Sequence, residues 1–104
     1  MRIGILLPYK ENFSPEYPGA VSLFVNDTSL KSKYKDNLII FGNTVYKKRY
    51  KLKYVNIELK KNLLASQTKT YVNKFINLQK KYNCSIIEVH NRPSYIFNLH
   101  KNLK

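Results

Sequence analysis

The turn His90-Asn91-Arg92-Pro93 holds the densest set of side chains in this sequence that can do chemistry. It follows the apolar run Ile86-Ile87-Glu88-Val89, so it reads as the carboxyl end of a strand, and Pro93 suits the first turn of a helix that comes next. An imidazole, an amide and a guanidinium beside a positive helix terminus can hold hydroxyls or anions, and an imidazole titrates near neutral pH. Each also has a plain structural use. His90 can satisfy a backbone group, Asn91 can cap the helix, and Arg92 can join a surface ion pair.

A second cluster lies in residues 9–19, where Asn12, Ser14, Pro15, Pro18 and Gly19 mark a loop. Gly19 opens the following helix. It either lets a ligand approach the backbone at a helix N-terminus or serves as a turn glycine. Glu11, Glu16 and Glu88 are the acids near either cluster, and their spacing marks no general acid and base pair. Glu16 reads as solvated, and Glu88, inside a strand, as facing a neighbouring cation. No G-x-G-x-x-G follows the first apolar run, which argues against a dinucleotide fingerprint. His90 and His100 have no convincing third ligand and Cys84 is the only cysteine, so neither a metal site nor a disulfide framework is expected.

The elements that must position these residues follow from periodicity. Residues 2–8 form an apolar run ended by Pro8, the pattern of a strand covered on both faces. Residues 20–30 carry Val21, Phe24, Val25 and Leu30 at near-helical spacing, which predicts a short helix with those residues on its buried side. A charged connection leads to Leu38-Ile39-Ile40-Phe41, a second strand closed by Gly42-Asn43. Residues 50–59 alternate as a third strand with one wet face. Too few residues separate it from the second for a parallel crossover, so an antiparallel edge strand is expected. Ser66 begins a helix reaching Tyr82, with Tyr71, Val72, Phe75, Ile76, Leu78 and Tyr82 on one face. A fourth strand occupies residues 85–90. The last helix carries Tyr95, Ile96, Leu99 and Leu103 in one stripe.

The expected architecture is therefore α/β, a Rossmann-like half-domain with a mostly parallel sheet and one antiparallel edge strand. The stripe on the last helix calls for a further strand, so the chain reads as truncated. In open α/β sheets ligands bind at the carboxyl ends of strands where the strand order reverses, which places loop 9–19 and turn 90–93 on one rim.

The chain has 104 residues and a net charge of +13, room for one small domain. Such a charge suggests nucleic acid or anionic membrane as partner. Nearly all of it is Lys, however, with Arg only at positions 2, 49 and 92, whereas phosphate and base recognition favour the planar Arg fork. A solitary cysteine fits a reducing compartment. The first apolar run is too short for a signal peptide, and no stretch suits a membrane span, so any membrane contact is peripheral.

Three segments together resemble a known family: Ile3-Gly4-Ile5-Leu6-Leu7-Pro8, Ser14-Pro15-Glu16-Tyr17-Pro18-Gly19-Ala20-Val21, and Ile86-Ile87-Glu88-Val89-His90-Asn91-Arg92-Pro93. The chain resembles the N-terminal domain of family 4 (group 1) glycosyltransferases of the two-Rossmann-domain GT-B type, from its first residue to about Leu99. The resemblance implies a partial acceptor-side domain over residues 1–104. In the full enzyme a C-terminal domain holds a nucleotide sugar, and a hexose passes with retention to a glycan or lipid-linked acceptor in the cytoplasm. It implies that His90 lines the reacting sugar hydroxyls as the catalytic residue and that Gly19 lies near the donor phosphates. Ala20, Glu16, Asn91 and Arg92 flank those positions as binding residues. The family often carries two adjacent glycines where this chain has Pro18-Gly19. No cofactor is implied beyond the nucleotide-sugar donor, and the 104 residues alone are expected to be inactive. Two other classes compete. A basic module for nucleic acid or anionic lipid would need its lysines on one face. A small nucleotide-binding or regulatory domain would need a phosphate loop or phosphoacceptor Asp after the first strand, and Pro8-Tyr9-Lys10 supplies neither.

Overall fold

The chain leaves its first strand, β1 (Ile3–Leu6), and returns to the sheet on both sides of it. A computed structural model describes residues 1–59 and 67–90 together with Tyr95 and Leu99. In it α1 (Ala20–Lys31) leads to β2 (Leu38–Gly42), then come β3 (Tyr54–Asn56), α2 (Gln67–Lys81) and β4 (Ile86–Val89). The four strands form one sheet in the order β3-β2-β1-β4 and every pair is parallel. This is the α/β, Rossmann-like half-domain that the alternation of strand and helix patterns implies.

Alternating side chains divide the core between the two faces. Leu6, Ile39 and Phe41 pack with Tyr71, Val72, Phe75 and Ile76 of α2, and Tyr95 and Leu99 join this layer. Ile5, Leu7, Leu38 and Ile40 face the other way, onto Val25 of α1 and onto Phe13 and Leu52 from two loops. Gly4 leaves room for two neighbours: a Cβ there would press on Cys84 Sγ at 3.0 Å and on the Phe41 ring at 3.3 Å.

The expected antiparallel edge strand is parallel. Ile40 aligns with Tyr54, Phe41 with Val55 and Gly42 with Asn56. The pairing covers so few residues that residues 43–53 need to retrace only about 10 Å, at about 3.3 Å per residue, and no crossover helix is required. That return is pinned. Thr44 Oγ1 accepts from the Phe13 amide at 3.0 Å and sits 2.6 Å from the Tyr54 hydroxyl, which donates to Asn56 Oδ1 at 2.9 Å. Leu52 is buried and Tyr50 meets Phe13 edge-on.

A second expectation also fails. On α1 the buried positions are Ser22, Val25 and Ser29, whereas Phe24 and Leu30 from the expected apolar side are exposed. The sheet face beneath α1 is already filled by Ile5, Leu7, Ile40 and Phe13, so small side chains fit against it and bulky ones turn outward. The expected face of α2 buries Tyr71, Val72, Phe75 and Ile76 and adds Gln79. Helix α2 ends in a Schellman turn, with Asn83 at φ 55, its amide bonded to Lys80 O and that of Cys84 to Gln79 O. This turn delivers the chain into β4 at the sheet edge. The Ser66 cap lies outside the described residues. Among the described residues no helix is long and apolar enough to cross a membrane.

Candidate functional site

The sheet order reverses at β1, from which the chain moves first to β2 on one side and later to β4 on the other. Carboxyl ends of strands at such a reversal open a crevice. Here that rim carries the loop after β1, the amino end of α1, and His90.

His90 is held there by its backbone: its amide donates to Leu6 O at 3.4 Å, continuing the β1–β4 ladder. Side chains two apart on a strand share a face, so Glu88 and His90 stand together. Glu88 Oε2 lies 2.7 Å from His90 Nε2. An ionised carboxylate only accepts, so in the neutral imidazole that faces it Nε2 is the nitrogen that donates and Nδ1 the one that can accept. Among the described residues Nδ1 has no hydrogen-bond partner. The His90 ring meets Phe24 of α1 with centroids 6.2 Å apart. His90 is 21% exposed and Glu88 55%. An imidazole oriented in this way can take a proton from a hydroxyl at Nδ1 while the carboxylate stabilises the imidazolium that forms.

Gly19 and Ala20 stand at the amino end of α1, the helix that Phe24 belongs to, so the structure brings them to the same layer as His90. The space beside Gly19 is already taken. A Cβ built on Gly19 would overlap the carboxylate of Glu11, whose Oε2 accepts from the Ser22 amide at 3.3 Å. Gly19 makes no side-chain cap, and the first turn of α1 has no acid of its own. Glu11 supplies both the missing acceptor and the negative charge that a helix N-terminus favours. Glu16 is exposed, and its amide bonds to Ser14 Oγ at 3.0 Å. Asn91, Arg92 and His100 lie outside the described residues.

A second opening lies on the β2 side of β1, about 420 Å³ in volume and lined by Tyr9, Lys10, Asn12, Asn43, Val45 and Leu59. Sequence reasoning missed this cleft, the Glu88–His90 pair and the Glu11 cap. The pair was within reach, since positions 88 and 90 share a strand face. No local pattern reports the other two, because they depend on how loop 9–19 folds back.

Burial raises the Cys84 thiol above its ordinary pKa, with Arg2 opposing, so this cysteine is not poised as a thiolate. Among the described residues no three His, Cys, Asp or Glu side chains gather as a metal site. No family model, no curated protein and no solved structure matches the chain.

Proposed function

We propose that this chain is the acceptor-side half of a cytoplasmic glycosyltransferase of the two-domain GT-B type, in which His90 activates a sugar hydroxyl for transfer from a nucleotide sugar held by a second domain. The observation that carries this reading is the Glu88–His90 pair at the strand-order reversal. The likeness of the three sequence segments to that family supports it further. The rim suits an uncharged, hydroxyl-rich ligand. Although the chain is strongly basic, Glu11, Glu16 and Glu88 are three of its six acidic residues, and all three lie on the loop or strand end that frame this crevice. The nucleic-acid or anionic-lipid alternative has less support, because exposed lysines occur on both layers: Lys74, Lys80 and Lys81 on α2, and Lys47, Lys48 and Lys51 in the loop between β2 and β3.

The test is an amide-shift titration of the 104-residue protein with methyl hexosides, alongside a turnover assay with UDP-glucose. Saturable shifts around His90 and Phe24, weakened at least tenfold in His90→Ala with the remaining spectrum intact, are expected. UDP-glucose should not be consumed. Equal binding by His90→Ala, or sugar transfer by the 104 residues alone, would falsify the reading.

A further inference from the structure

The cleft on the β2 side of β1 differs in chemistry from the His90 crevice. At about 420 Å³ it falls in the range of small-ligand sites, and no carboxylate lines it among the described residues. Its aromatic wall is held in place: the Tyr9 ring lies tilted on Tyr71 with centroids 5.5 Å apart, and the Tyr9 amide donates to the Tyr95 hydroxyl at 3.1 Å. Two carboxamides are half used. Asn12 accepts from the Val45 amide through Oδ1 at 3.2 Å, and Asn43 donates to Ile57 O through Nδ2 at 2.8 Å. Among the described residues this leaves the Asn12 Nδ2 donor and the Asn43 Oδ1 acceptor for a ligand.

Lys10 completes the set. Its backbone is left-handed at φ 68, a conformation that costs a side-chain-bearing residue and that often marks functional loops. Its ammonium stands 5.6 Å from the Tyr9 ring centroid and has no carboxylate partner among the described residues, since the adjacent Glu11 caps α1 instead. An aromatic wall, one donor, one acceptor and one cation that among the described residues faces no carboxylate match a sugar ring that bears a negative group. A diphosphate would want several donors or a free helix terminus, and Glu11 occupies the terminus nearest this loop.

We infer that this cleft is a saccharide subsite selective for a ring bearing a carboxylate, with the ring against Tyr9, hydroxyls on Asn12 and Asn43, and the carboxylate on Lys10. The inference rests on the sugar-acceptor reading above and adds a chemical class for the sugar unit beside the reacting one.

Titrating the 15N-labelled protein with methyl β-D-glucuronide, methyl β-D-glucoside and inorganic phosphate tests it. The glucuronide should shift the amides of Tyr9, Lys10, Asn12 and Asn43 saturably and bind roughly tenfold tighter than the glucoside, the effect of one charge-assisted contact. Lys10→Asn keeps a residue that tolerates the left-handed backbone and removes the charge. It should abolish the preference while leaving the rest of the spectrum unchanged. Equal binding of the two glycosides, or phosphate shifting the same amides as tightly as the glucuronide, overturns the subsite. Sugar-induced shifts confined to His90 and Phe24 overturn it while sparing the reading of the His90 crevice, whereas no response to either sugar overturns both.

Discussion

Glu11 and Gly19 act as one unit, a relation that neither residue suggests when read alone. The glycine has ordinary extended angles, φ −77 and ψ 166, so it is not there to relieve backbone strain. It is there because a side chain would displace the Glu11 carboxylate. Gly19→Ala and Glu11→Ala should therefore each cost about 1 kcal/mol, the usual worth of a helix cap. The double variant should cost no more than the larger single one, because both changes remove the same contact. Urea midpoints of the four proteins measure this, and additive losses would separate the two residues. At position 90 the sequence marks a strand-end histidine, and only its partner was left unassigned.

At the scale of elements, α1 is the instructive case. Its apolar residues Leu23, Phe24 and Leu30 point outward while Ser22, Val25 and Ser29 face the sheet. Val25→Ala should lower stability by roughly 2 kcal/mol through a cavity in a filled layer. Phe24→Ala, at a position 59% exposed, should change stability by less than about 0.5 kcal/mol. Its effect should appear instead in the saccharide binding proposed for His90, whose ring it meets. Thermal unfolding and the methyl hexoside titration together distinguish the two outcomes, and a large stability loss in Phe24→Ala would place that ring in the core. Helix α2 was legible because lysines oppose its apolar face. Helix α1 was legible in extent but not in facing, since apolar and small residues mix around it.

At the scale of the whole molecule, Tyr71 ties α2 to the central strand. Its hydroxyl donates to Leu7 O at 2.6 Å inside the core, and burial pushes its pKa far above the ordinary phenol value, with Tyr54 and Tyr95 adding to the effect. Burial also raises Tyr54, opposed by its Thr44 bond and by Arg49. A phenol held protonated in the folded state keeps its full contribution below the unfolded value of about 10 and loses it as pH climbs toward the folded value. Above pH 10 the unfolded chain binds fewer protons, so stability should fall by about 1.4 kcal/mol per pH unit for such a group. Tyr71→Phe should be about 1 kcal/mol less stable at pH 7, where Leu7 O loses its donor, and the gap to the parent should close between pH 10 and 11.5. Denaturant titrations at stepped pH check this, and parallel curves for the two proteins would contradict it.

The sequence by itself determined the four strands, the two helices α1 and α2, the two-faced core and the strand-end position of His90, because hydrophobic periodicity and turn residues are local signals, whereas the expected last helix lies largely outside the described residues. Tertiary structure alone decided that β3 runs parallel, that α1 turns its small residues to the sheet, that Glu11 covers Gly19, and that Tyr9, Lys10, Asn12 and Asn43 meet in one cleft. Each of those depends on how far a loop must travel or what already fills a layer. Such distances and volumes arise only once segments remote in the chain are packed together.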